Sequence, residues 1–422
     1  MNKLKFSRLF FFLSYYIEVE IIYNFNYIYI YIYIHSLSII IIIIKVKVMG
    51  NSLTKIILIN NELREDFDTL LEEEPLIASL LFSNIINSND TRKEEKQSYR
   101  LGLKRSPWRK LLDNKSPNEF KLYLGVNLVV FDKLVSIFKN YIDLHEPSQR
   151  NASLPNIVYD ANAKNSYINN KFCFQDRIGL ILIYINSTCE MKYLGLLFGI
   201  SRHRISQAIN RDINSLVQAL KDHPDARVSW PTDEEMADLI TRTNRHYPML
   251  ERYNVWGAID GCKVAIETSK DANLQAAYYN GWLHSHVVVN VLLVDTRGVF
   301  RFAILNALGT THDSQAARIG GLYEKVKAGT NNVVGDSAFA NVPGLIKLSE
   351  RNVLDLQHGQ NLRQVRQISE WAMHIFQLPR LHLKLPLHNN KLRQNLLSLS
   401  VLFNNFKVNN GMNNEITTAF DY

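Results

Sequence analysis

The sequence predicts an α/β protein, a mixed five-stranded sheet with flanking helices preceded by an all-α region. Three observations carry that expectation. Apolar, β-branched or aromatic runs at 255–260, 285–295 and 299–305 read as strands punctuated by glycine. A short run, NNVVGDS, delivers Asp336 at its end before another helix near 362–376. Upstream, apolar residues recur at spacings of three and four, the repeat of a helix with one buried face.

Composition sets the outer bounds. With 422 residues the chain can hold more than one folded unit, and 46% hydrophobic against 21% charged residues excludes wholesale disorder. A net charge of +8 leans toward a polyanionic partner. Cys173, Cys189 and Cys262 form no paired spacing, which excludes a disulfide framework and a zinc finger.

Four segments follow along the chain. Residues 1–48 contain an apolar run, 21–44, long enough to span a bilayer. Its strict Tyr-Ile alternation and oligo-Ile tract are what AT-rich repeats encode, so it is read as translated repeat, with Met49 as the start and membrane as an unfavoured partner. Residues 49–115 read as a flexible basic arm, because TRKEEKQSYRLGLKRSPWRK is rich in Lys and Arg and broken by Gly102 and Pro107. Residues 116–225 read as helical: Leu124, Leu128, Phe131, Val135 and Phe138 mark a buried face from Phe120 onward, and SQRNASLPNIVYDANAKNSYINNK marks a polar loop. The sheet domain is expected over 250–410.

Within the helical region, EMKYLGLLFGISRHRISQAINRDINSLVQAL supplies two helices and a tight turn, as a helix-turn-helix requires. Leu194, Leu197 and Phe198 form one apolar face, Gly199 and Ser201 the turn and N-cap, and Ile205, Ala208, Ile209 and Ile213 a second apolar face. Arg202, His203, Arg204, Gln207 and Arg211 are left outward, with the guanidinium and amide groups that pair with base edges and phosphates. A plain helical hairpin with a solvated basic face is the competing interpretation.

Three antiparallel strands, a helix, a further strand and a helix is the order of the RNase H-like fold. On it, Asp260 closes the first strand, Asp336 ends the fourth and Glu370 reaches in from a helix. Phosphodiester cleavage by two metal ions needs hard oxygen ligands, so these three carboxylates are the candidate catalytic and metal-ligating residues, with Mg²⁺ or Mn²⁺ as the cofactor. Taken singly, Asp260 and Asp336 beside glycine also suit turn chemistry, and Glu370 suits an i,i+4 ion pair with Arg366.

The blocks GAIDGCKVAIE, AAYYNGWLHSHVVVNVLLVDTRG, THDSQAARIGGLYEK, VVGDSAF and ISEWAMHIFQ resemble successive blocks of the PIF/Harbinger transposases, whose catalytic domain is a DDE endonuclease. The resemblance runs from about Tyr253 to Leu387. It implies that Asp260, Asp336 and Glu370 are the ligands of two divalent ions, and makes His312 and Asp313 secondary candidates, although an N-cap role accounts equally for Asp313. Cys262 and Lys263 depart from the family's usual Thr-His pair. The implied activity is cutting of DNA at transposon terminal repeats, with strand transfer, in the nucleus. A Myb-like accessory protein and a homo-oligomer are further expected partners. A domesticated or decayed transposase that binds DNA without cutting is the alternative.

Overall fold

Alternating tyrosine and isoleucine favours extended backbone, because both residue types fit a pleated surface. In the computed structural model, which describes residues 103–146, 172–327, 331–347 and 356–421 and four strands between 15 and 57, the chain divides into two units, Met1–Leu101 and Gly102–Tyr422. In the first, β1 (Tyr15–Tyr23), β2 (Asn26–His35), β3 (Ile39–Val48) and β4 (Asn51–Ile57) pair in sequence as an antiparallel meander. No helix among the described residues is long and apolar enough to cross a membrane.

The second unit opens with helices. Proline stands at the start of α1 (Pro107–Asn114) and α2 (Pro117–Leu124), where its missing N–H costs nothing. A left-handed Gly125 ends α2, and Asn127 caps α3 (Leu128–His145) by accepting from the Val130 N–H at 2.9 Å. Then come α4 (Phe174–Ile185), α5 (Met191–Phe198), α6 (Arg202–Lys221) and α7 (Asp233–His246).

Residues 103–114 were expected within a solvated arm, and the structure corrects this. Trp108 is fully buried, stacks on Phe198 with centroids 5.2 Å apart, and donates its indole N–H to Asp176 Oδ1 at 2.8 Å. Arg109 donates to the other oxygen of that buried carboxylate at 2.6 Å. The basic residues of this stretch thus surround a helix pinned by an aromatic anchor. Of the rest of the arm, Asn51–Ile57 forms β4, while residues 58–102 and the polar loop at 148–171 lie outside the described residues.

The sheet begins with β5 (Val255–Ala265) and continues, after α8 (Ala272–Tyr278), with β6 (Tyr279–Asn280), β7 (Ser285–Asp295) and β8 (Phe300–Leu308). After α9 (Asp313–Ile319) and α10 (Leu322–Lys327) come β9 (Asn332–Gly335), β10 (Leu345–Lys347), α11 (Leu356–Phe376), α12 (Asn390–Asn409) and α13 (Glu415–Asp421). The strand order is β10-β9-β5-β7, with β8 on the far side of β7 and β6 extending from its start. β5, β7 and β8 are antiparallel neighbours, while β9 runs parallel to β5 and β10 parallel to β9. Among the described residues the sheet has six strands where five were expected, the two-residue β6 and the three-residue β10 being too short to mark a run in the sequence, and this order fits an RNase H-like domain.

Details differ from expectation. β5 runs on to Ala265, so Asp260 sits inside the strand opposite Leu292 and does not close it. The helix expected at 314–327 is two short helices, broken where Gly320 is followed by Gly321 at φ +75°. The expected turn at Arg297 and Gly298 is present: Asp295 Oδ1 accepts from the N–H groups of Arg297 and Val299, both at 2.9 Å.

Each sheet face is covered. Ile259, Val291, Leu293, Val333 and Leu345 pack with α7, α9 and α10 through Leu239, Ala316, Ala317, Leu322 and Val326. α11 crosses the other face over β5, β7 and β9, and α12 lies on β8 and α6. Asn405 of α12 accepts from the Phe300 N–H at 2.7 Å and donates to the Phe300 carbonyl at 2.9 Å, pairing the edge of β8 as another strand would.

Gly179 of α4 faces the Trp108 ring so closely that an added Cβ would stand 2.0 Å from it. Gly179→Ala is expected to lower stability by about 1–3 kcal/mol, the usual cost of overpacking. Chemical denaturation checks this; an unchanged midpoint would mean that Trp108 is not seated there.

Candidate active site

Strand alternation decides which side chains can meet. Along β5, Ile259 belongs to the face covered by α9 and α10, so Asp260 points to the face covered by α11. Pairing of Ile259 with Gly335 on neighbouring parallel strands, about 4.8 Å apart, sets Asp260 and Asp336 one step beyond, Asp336 just past the end of β9. A Cβ on Gly335 would meet Ile259, Leu345 and Phe339, so Gly335 faces the opposite core and Asp336 turns toward Asp260's side. Asp336 follows directly after β9 rather than ending it, and accepts from the Ser337 N–H at 2.6 Å.

Glu370 comes from α11. Val365, Ile368 and Ala372 are its buried stripe, as expected, with Phe376 taking the place expected of Ile375. Arg363, Gln367, Glu370 and His374 are exposed together. One turn before Glu370, Arg366 donates to Glu370 Oε1 at 2.8 Å, and its other terminal nitrogen lies 4.0 Å from Asp260 Oδ2. The ion pair anticipated from spacing therefore exists, but its guanidinium also serves Asp260. The structure brings Asp260 and Asp336 together directly and connects Glu370 to Asp260 through Arg366.

Asp260 is mostly buried, and desolvation raises its pKa above the carboxylate norm; a hydrogen bond from the Gly261 N–H at 2.7 Å and the charge of Arg366 oppose the rise, while Asp336 and Asp313 add to it. This donor set suits hard divalent cations, since crowded carboxylates are relieved by positive charge. Among the described residues, no group of three His, Cys, Asp or Glu stands ready to hold a metal ion, and Glu370 is turned to Arg366.

Of the secondary candidates, Asp313 occupies the other face of β5. Asp313 pairs with Lys263 at 3.2 Å and lies against Gly261, where a Cβ would be 2.4 Å from its carboxyl group. Glycine at 261 thus makes room for Asp313. The cap of α9 is His312, exposed and without a side-chain cap bond, so the N-cap role expected for Asp313 is not observed. Cys262 faces α11, its thiol pushed up to about 11 by burial and accepting from Gln377 Nε2 at 3.2 Å. Sequence reasoning missed Arg366 as part of the site and Lys263 as the partner of Asp313. A basic residue four before the candidate Glu was the available signal.

The helix-turn-helix candidates lie elsewhere. Gly199 is left-handed and Ile200 donates to the Gly195 carbonyl at 2.9 Å, giving the tight turn between α5 and α6. Arg202, His203 and Gln207 are exposed, with His203 and Gln207 joined at 2.9 Å. Arg204 and Arg211 are half-buried, and Arg211 is held by the buried Asp212 at 2.6 Å rather than pointing outward.

Because the fold raises the Asp260 pKa, the stability this group contributes is full below its ordinary value of 3.8 and is lost as pH rises through the raised folded value. Asp260→Asn in the presence of chelator should therefore raise the melting temperature at about pH 7, by an increment that shrinks toward roughly pH 4. A lower melting temperature at neutral pH would show that Arg366 and Gly261 outweigh burial.

No curated protein and no solved structure matches this chain. Residues 259–404, which hold Asp260, Asp336, Glu370 and the helix bearing Arg366, match the family model described as DDE superfamily endonuclease, and this supports the superfamily that the sequence blocks suggest.

Proposed function

We propose that this chain is a metal-dependent DNA endonuclease of the PIF/Harbinger transposase type, cutting at transposon terminal repeats and transferring the cut strand. The observation that carries the reading is the juxtaposition of Asp260, within β5, and Asp336, directly after the parallel strand β9, beneath the helix of Glu370 and inside the matching segment. Asp260, Asp336 and Glu370 would hold two Mg²⁺ or Mn²⁺ ions, which supply Lewis acidity and an acidified water. Arg366 keeps the carboxylates compatible with one another, and Gly261 fixes the orientation of Asp260 through its N–H. Arg202, His203, Arg204, Gln207 and Arg211 would contact DNA, Arg211 after leaving Asp212 or through its exposed edge. A nuclear location, a Myb-like accessory protein and a homo-oligomer accompany this reading.

A second reading, a domesticated or decayed transposase that binds DNA without cutting, draws on Arg366, whose charge already serves Glu370 and Asp260 as a structural ion pair would.

The full-length protein with Mn²⁺ and DNA carrying the terminal repeats of its own locus is expected to nick, and Asp260→Ala, Asp336→Ala and Glu370→Gln to reduce nicking to background. Binding with no cutting at any metal concentration would favour the second reading, and undiminished nicking by Asp260→Ala would refute the site. Arg202→Ala should weaken DNA binding across sequences and flatten its salt dependence by about one unit of slope.

A further inference from the structure

Among the described residues, the most exposed large apolar side chain is Trp282, 89% accessible at the tip of the hairpin joining β6 to β7. Leu283 and Tyr279 beside it are also exposed, as are Leu274 on α8 and Leu308 at the end of β8. The hairpin is built rather than loose. Asn280 accepts from the Leu283 N–H at 3.0 Å and donates to the Gly309 carbonyl at 2.8 Å, and the Tyr279 hydroxyl meets His284 Nδ1 at 3.3 Å. Gly309 fits so tightly that a Cβ would lie 2.1 Å from the Tyr278 carbonyl oxygen. These contacts leave the indole in water while fixing its base, an unfavourable arrangement unless something covers it.

The surroundings indicate what that is. Ile266, at the end of β5, donates to the His286 carbonyl at 3.0 Å on one side and bridges Leu385 on the other. The segment bearing Leu385 thus adjoins the hairpin's strand through a single residue. That segment exposes His382, Lys384, His388 and Lys391, and no Asp or Glu occurs between 371 and 414 or between 272 and 294. Glu267 reaches this edge, accepting from the Leu387 N–H at 3.4 Å, but Lys384 and Lys391 leave the edge net basic. An exposed aromatic beside a basic edge is the pairing that binds nucleic acid, the ring stacking on bases and the cations meeting phosphates.

We propose that the Tyr279–His286 hairpin is a DNA-stacking element, with Trp282 against an unpaired nucleobase and the 382–391 segment along the adjoining backbone. This deepens the nuclease reading and rests on DNA being the substrate. The strand that carries the hairpin also carries Leu292, the partner of Asp260. From Leu292 back to Ser285 is roughly 23 Å at about 3.3 Å per residue, or about seven nucleotide steps of duplex at 3.4 Å each. The unpaired base would therefore lie several nucleotides from the scissile bond.

The test uses the full-length chain with an intact duplex and a duplex containing a gap with 2-aminopurine as its unpaired base. Trp282→Ala should weaken binding to the gapped duplex by roughly five- to hundred-fold, spare binding to the intact duplex and abolish the 2-aminopurine fluorescence change, and Trp282→Phe should restore most of both. Equal gapped-duplex affinity and fluorescence response for wild type and Trp282→Ala would overturn the proposal. So would a wild-type dimer, seen by sedimentation, that Trp282→Ala dissolves without changing DNA affinity, since a second copy would then be the occupant. Nicking of terminal-repeat DNA, run in parallel, separates the two readings. Wild type that binds through Trp282 but does not nick supports the hairpin and removes the endonuclease, whereas nicking without any Trp282 dependence does the reverse.

Discussion

The parallel pairing of β5 with β9 is the constraint on which the candidate site depends. Parallel strands are buried on both faces, and here that places a carboxylate, Asp260, beneath α11 beside a second carboxylate just past the end of the neighbouring strand. Burial and like charge both oppose ionisation of Asp260. One backbone N–H and one guanidinium counter them, so Gly261 and Arg366 are as much a part of the site as the acids. The apolar strand pairing, through Ile259, Val291 and Val334, holds the carboxylates close despite their repulsion.

The helices before the sheet follow the same logic of burying charge only where it is answered. Asp176 receives hydrogen bonds from Trp108, Arg109 and the Cys173 N–H, and Asp212 is shared by Arg177 and Arg211. Breaking such a pair from one side leaves an uncompensated charge, whereas the intact pair adds little. These pairs therefore specify geometry more than they add stability. They orient α4 against α1 and α6, and α6 in turn packs on α12, the helix that closes the edge of β8. The basic start of α6 is carried by the same body of helices that braces the sheet.

Much of this was legible in the residues. β-branched runs gave β5, β7 and β8, and the apolar stripe Val365, Ile368 and Ala372 gave the orientation of α11, because buried periodicity is a local signal. Asp260 and Asp336 were identified from glycine-flanked positions in ordered blocks, and the strand pairing puts them side by side. What was not legible depended on contacts distant in sequence. Trp108 and Arg109 looked like parts of a solvated arm, since nothing nearby in the chain shows that Asp176 lies sixty-seven residues away from Arg109 to receive them. Likewise Arg211 reads as outward by helical spacing, yet its neighbour Asp212 is buried and draws it in. The end of β5 was set too early because Asp260, Gly261 and Lys263 interrupt the apolar run while the backbone ladder with β7 continues beneath them.

That continuation explains the pair at 262 and 263, which departs from the pattern of the resembling family. A two-residue period sends Cys262 to the same side as Asp260 and Lys263 to the same side as Gly261. On the α11 side, burial pushes the Cys262 thiol up to about 11, so it packs as a neutral neighbour with one hydrogen bond from Gln377. On the opposite side, Lys263 neutralises Asp313, which reaches β5 only because residue 261 has no side chain. Asp313 is therefore paired across the strand from the candidate triad and acts on Asp260 through its field, not as a companion ligand. The substitution of Cys-Lys leaves the Asp260 face chemically quiet and moves the compensating charge behind it, so the departure from the family pattern is compatible with an intact carboxylate site.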